Sequence, residues 1–352
     1  MNAGLMVDMP DGAAPPRRAG ARIGIPGADG TKGNDWRGMS IVAAIGICAL
    51  GLAATIIMRE RRNRRSPSMR DAPPQEREEA IEVTAGRRLN RAAGILAFSV
   101  LTDSAMEHYR GSFENRAMYT PLVAASLGLA VSMHGLADSH GNRNGFRHAV
   151  YVLNALTGLA GLGFHAYNVG KRPGGVSWLN LFYGAPIGAP AALILSGALG
   201  FSAERVRDNR PGAAPELFGL PAGRTLAFMT AAGLLGTVGE AGLFHFRGAF
   251  HNPLMLLPVT VPPVAAGLLA STAVGLTRRH RRLTRLALEG TTVLGLGGVG
   301  LHAYGVQRNM GGWYNWSQNL LNGPPLPAPP SFTGLALAGL AAVSLMEDHP
   351  YA

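Results

Sequence analysis

The residues of this sequence best suited to chemistry are four histidines in two pairs. His108 and His245 are 137 positions apart (245 − 108), and so are His165 and His302 (302 − 165). Each stands at the end of an apolar run, and four residues before them lie Ser104, Gly161, Ala241 and Gly298, all small. Neutral imidazole is the commonest metal ligand, and two imidazoles from facing helices bind a b-type haem, for which small residues one turn below leave room. Arg110 and Arg247, two residues beyond the first histidine of each pair, suit haem propionates or another anion. Asp103 and Glu240 share the same 137-residue offset, so a carboxylate is kept about a turn and a half inside each run, where an unpaired charge is expensive. With the histidines, Asp103 and Glu240 offer one oxygen and two nitrogens to a non-haem metal. Helix geometry opposes that set, because five residues at about 100° each turn Asp103 some 140° away from His108. A bland reading stands beside these: small residues at four-residue spacing let helices pack closely, an interfacial histidine can donate to a loop carbonyl, and each acid can bond the neighbouring unit.

The stretches around these residues recur. "HYRGSFENRAMYTP" at 108–121 aligns without gaps to "HFRGAFHNPLMLLP" at 245–258, with seven of fourteen positions identical. "GFHAYNV" at 163–169 matches "GLHAYGV" at 300–306, and "NLFYGAPIGAP" at 180–190 matches "NLLNGPPLPAP" at 319–329. Several matched residues read as architecture. Asn115 and Asn252 suit caps of the following turn, and Pro121 and Pro258 suit the first turn of a helix. Tyr167, Tyr304, Trp178 and Trp316 suit interfacial anchoring. The Gly/Pro segments 184–190 and 323–329 read as irregular backbone that covers each site.

The elements that must position these groups are membrane helices. Of the 352 residues 47% are hydrophobic and 15% charged, with 48 Gly. Apolar runs of bilayer-spanning length fall near 40–58, 92–107, 118–137, 149–167, 181–202, 225–244, 254–276, 286–304 and 331–346. The expected fold is an all-α polytopic integral membrane protein: an N-terminal signal-anchor helix followed by two tandem, same-orientation four-helix repeats. The expected order is a disordered tail (1–38), the anchor (39–58), a charged linker (59–89), repeat A (90–205), a second linker (206–223), repeat B (224–347) and a short tail (348–352).

The 32 Lys+Arg residues exceed the 21 Asp+Glu, but their placement follows topology. Twenty-one lie in alternate loops on one side, six on the other and five in the N-terminal tail. The positive-inside rule makes the first side cytoplasmic, which puts the N-terminus outside, the C-terminus inside and the histidines at the outer face of a membrane of bacterial inner-membrane type. A nucleic-acid partner is then unnecessary. The lone Cys48 excludes an intramolecular disulfide, and no nucleotide-binding or hydrolase motif is present.

Three readings follow. The first is a redox or electron-transfer subunit with haem b, or less favourably a non-haem metal, in each repeat, exchanging electrons with a periplasmic or quinone partner. The second is a transporter for an anionic solute, with Asp103 and Glu240 carrying protons. The third is a structural subunit without a cofactor.

Overall fold

The computed structural model describes residues 74–209, 213–275 and 278–349, together with Met58. The tail expected at 1–38 and the anchor expected at 39–58 lie outside the described residues, Met58 excepted. The described chain is helical. In order come α1 (Pro74–Arg110), a 3₁₀ turn (Arg116–Tyr119), α2 (Thr120–Ala137), α3 (Gly145–Gly170), the short α4 (Trp178–Tyr183) and α5 (Gly188–Arg207). A two-stranded hairpin follows, β1 (Glu216–Leu217) with β2 (Leu220–Pro221). Then come α6 (Ala222–Arg247), a 3₁₀ turn (Pro253–Leu256), α7 (Leu257–Ala273) and α8 (Arg278–Arg308). A third 3₁₀ turn (Gly312–Asn315), α9 (Trp316–Asn322) and α10 (Pro330–Asp348) complete the order. Among the described residues five stretches are long and apolar enough to cross a membrane: 116–137, 145–170, 222–247, 253–273 and 330–348.

Three boundaries differ from the sequence expectation. Residues 74–89, expected as linker, belong to α1, because the acidic and basic residues there continue one helix into the apolar run. The run at 181–202 is broken after Tyr183, and α5 starts afresh at Gly188. The linker 206–223 contains the hairpin, whose Phe218 and Gly219 both have positive φ, as a two-residue primed turn requires.

Helix α1 packs on α2, α5 and α10; α3 packs on α2 and α5. In the second half α6 packs on α7 and α10, and α8 on α7 and α10. Helix α10 lies innermost, with every residue from Pro330 to Val343 buried. By contrast α2 and α3 turn Val123, Leu127, Met133, Leu153, Leu156, Leu159 and Phe164 outward, an apolar exterior suited to lipid.

Contacts recur along the chain at the offsets of the sequence alignment. A Cβ on Gly86 would meet Arg207, and one on Gly223 would meet Met346. Gly158 faces Pro190 and Ile194, while Gly295 faces Pro329 and Thr333. Asn180 donates to the carbonyls of Pro173 and Gly175, and Asn319 donates to those of Met310 and Gly312.

Candidate functional site

Local structure accounts for most of the repeated fourteen-residue stretch. Helix α1 ends in two successive left-handed residues, Ser112 and Phe113, and α6 in Ala249 and Phe250. The strain of non-glycine residues there is offset by the hydrogen bonds that close each helix end: Phe113 N donates to the His108 carbonyl at 3.0 Å, and Phe250 N to the His245 carbonyl at 3.1 Å. The turn brings each phenylalanine edge-on to its histidine, with ring centroids 6.2 Å apart at His108 and 6.1 Å at His245. Asn115 then accepts from Ala117 N and Asn252 from Leu254 N, capping the two 3₁₀ turns. Pro121 and Pro258 stand in the first turns of α2 and α7. Gly111 and Gly248 leave space into which the methyl ends of Met118 and Met255 reach.

The four matched histidines share one arrangement. His108 Nδ1 lies 2.6 Å from the Met118 carbonyl and His245 Nδ1 2.8 Å from that of Met255. His165 Nδ1 meets the Pro186 carbonyl, and His302 Nδ1 lies 2.7 Å from that of Pro325. A carbonyl only accepts, so each Nδ1 carries a proton, and in the neutral ring the lone pair is on Nε2. The first histidine of each pair is thus fixed by the loop after its own helix. The second is fixed by the irregular Gly/Pro segment before α5 or α10, which explains why those segments lie against the sites. The fold brings the second pair together: His245 and His302 have ring centroids 6.4 Å apart.

The two glycines below the second histidine of each pair serve close packing. A Cβ on Gly161 would reach Pro190 at 3.4 Å, and one on Gly298 would reach Pro329 at 2.8 Å. These glycines admit the prolines, so the space next to them is filled.

The matched arginines diverge. Arg110 pairs with Glu107 at 2.7 Å. Arg247 lies over the rings of Phe182, Tyr183 and Phe244, at 5.5, 5.1 and 5.7 Å, and so ties the second half to α4 of the first. Tyr167 and Tyr304 receive Lys171 and Arg308 over their rings, and Trp178 and Trp316 are exposed at the starts of α4 and α9.

The carboxylates diverge as well. Glu240 Oε1 accepts from Gly188 N at 3.1 Å, so α6 caps the start of α5 across the boundary between the halves. A side chain at position 188 would overlap that carboxylate. The position that corresponds to Gly188 is Pro327, which has no N–H to offer Asp103. Asp103 lies instead within electrostatic range of Glu107, Glu240 and Arg110. Among the described residues no group of three or more His, Cys, Asp or Glu side chains is arranged to hold a metal ion.

A second polar cluster, which the sequence reading passed over, fills the opposite end of the first half, where α2 ends and α3 begins. Arg147, 1% exposed, donates from Nε and Nη2 to both oxygens of the fully buried Glu204 at 2.8 and 2.9 Å. Its Nη1 reaches Asp138 at 2.7 Å and His134 Nδ1 at 3.0 Å. Burial pulls the Asp138 carboxyl upward, but the His140 N–H and ring and the Arg147 guanidinium outweigh it and hold the group well below the ordinary carboxylate range. Arg207 donates to the carbonyls of Gly135, Asp138 and His140. Deeper in, Ser132 and Tyr151 share a hydrogen bond of 3.1 Å, and the Tyr151 hydroxyl donates to Asn90. A repeat comparison draws the eye to what both copies keep. This cluster is unmatched: the positions of Arg147, Glu204, Tyr151 and Asn90 are Thr284, Val343, Leu288 and Ala227 in the second half.

No protein-family model, curated protein or solved structure matches this chain. Function therefore has to be read from the site.

Proposed function

We propose that this chain is an integral membrane protein of two tandem, same-orientation four-helix units, and that each unit holds a redox-active metal centre between its two histidines. The observation that carries the reading is the common arrangement of the four imidazoles: every Nδ1 is fixed on a backbone carbonyl. Such second contacts orient metal-binding histidines and set their tautomer. Two imidazoles that bind one metal from opposite sides at about 2.0–2.1 Å have ring centroids roughly 6 Å apart, the scale of the 6.4 Å between His245 and His302.

Haem b is the favoured form of the centre. A porphyrin brings its own four equatorial nitrogens and needs only the two histidines from the protein. Neither arginine enters the proposal. The distribution of basic residues supports a place for these centres at the non-cytoplasmic face of a membrane of bacterial inner-membrane type, where a periplasmic or quinone redox partner would reach them.

The test is a dithionite-reduced minus oxidised absorption spectrum of the detergent-purified chain, with metal analysis on the same sample. A b-type alpha band that is lost in the His165→Ala/His302→Ala double variant supports the reading. A flat spectrum from protein expressed with ample haem, with no stoichiometric metal, overturns it.

A further inference from the structure

The unmatched cluster of the first half does not end at Tyr151. Arg147, Tyr151 and Asn154 stand at i, i+4 and i+7, on one face of α3, and so descend about 10 Å into the bundle at 1.5 Å per residue. Asn154 is fully buried, and neither its amide nitrogen nor its amide oxygen has a hydrogen-bond partner. An amide held in that state bears the desolvation penalty of both atoms. Internal water is the usual remedy, because one water molecule completes two to four such bonds.

The second half shows how the position is built without that need. Asn154 corresponds to Thr291, whose hydroxyl donates to Ala287 O of its own helix at 2.9 Å. Gly128, against which the Asn154 amide packs, corresponds to Ala265. Size and polarity have changed together, glycine with the larger polar residue and alanine with the smaller one. Toward the histidines the face closes at Gly158, where a Cβ would come within 2.6 Å of Ile194 N and 2.7 Å of Pro190 O. Toward the other end the same face of α3 carries Tyr151, which bonds Ser132 and Asn90, and then Arg147, which bonds Glu204 and Asp138.

We propose that Asn154 marks an internal water-binding site of the first half, between α2 and α3, which Ala265 and Thr291 of the second half do without. The inference is independent of whether the histidines carry a metal. Its consequence is asymmetry: the first half holds an internal water at a position where the second half satisfies its side chain within one helix.

Pulsed hydroxyl-radical footprinting of the full chain, read by mass spectrometry, tests this directly, since radicals generated from bound water label the side chains beside it. Tyr151, which is fully buried, becomes labelled; Asn154→Leu abolishes that label, and Thr291→Leu leaves it unchanged. Should Asn154→Leu fail to fold, the gain-of-site variant Ala265→Gly/Thr291→Asn with Leu288→Tyr as reporter replaces it, and the reporter is labelled only when all three changes are present. No label on Tyr151 in the unaltered chain overturns the proposal. So does a label that persists in a folded Asn154→Leu variant, or a Leu288→Tyr reporter labelled equally without the other two changes.

Discussion

Replacing Arg147 by threonine, the residue at the corresponding position 284, leaves Glu204 buried with a single remaining donor, the Asn144 N–H at 2.8 Å. Three of the four hydrogen bonds that Arg147 Nε, Nη1 and Nη2 make to Glu204 and Asp138 or His134 involve a carboxylate, and both Arg147 and Glu204 are at most 1% exposed. Breaking one partner of such a pair costs roughly 3–5 kcal/mol, since the loss is dominated by the charge left behind. At about 2–4 °C per kcal/mol the apparent melting temperature falls by roughly 6–20 °C. Converting both positions, Arg147→Thr with Glu204→Val, installs the solution of the second half and removes the orphaned charge. The double variant therefore melts above the single one. Thermal unfolding in detergent, followed by tryptophan fluorescence or by retention on size exclusion, measures all of these. A single variant that melts with the wild type, or a double variant whose loss equals the sum of the two singles, would refute the claim that these side chains form one buried unit.

Three other outcomes follow from the same contacts. Gly188→Ala and Glu240→Ala each remove the cap that α6 provides to α5, worth about 0.5–2 kcal/mol by analogy with other helix caps; the double variant loses no more than either alone, as a double-mutant cycle of melting temperatures will show. Asp138 has its carboxyl held low in the folded state, so its stabilising effect is present above the unfolded carboxylate pKa of about 3.9 and is lost as pH falls below it toward the folded value. Acid titration should therefore show wild type more stable than Asp138→Asn at neutral pH, with the gap narrowing below about pH 4. Finally, His165→Phe and His302→Phe keep ring volume but release the carbonyls of Pro186 and Pro325; limited proteolysis should cut the segments 184–187 and 323–329 faster in the respective variants, and equal cleavage rates would show that the imidazoles do not hold them.

The helical membrane character was legible in composition and apolar run length. Identity between the two halves also pointed to Asn115, Asn252, Pro121 and Pro258, whose capping and helix-starting places depend on neighbours within a few residues. The compact turn itself was not legible, because the left-handed residues at 112–113 and 249–250 that create it are Ser, Phe, Ala and Phe and carry no left-handed sequence signal. Glycines below the histidines misled in the same way: from sequence, a glycine that clears space for a cofactor is indistinguishable from one that admits a proline from the next helix.

The sequence by itself determined the elements, their polarity pattern and which residues recur, because spacing, hydropathy and identity are properties of one dimension. Only the tertiary structure decided what the unmatched residues do. Asn90, Ser132, Tyr151, Asn154, Arg147 and Glu204 lie on four helices and up to 114 positions apart (204 − 90), and each alone reads as an ordinary polar residue near a helix end or within an apolar run. Burial turns them into a set, since a charge or amide removed from water must find its partners among whatever the neighbouring helices present.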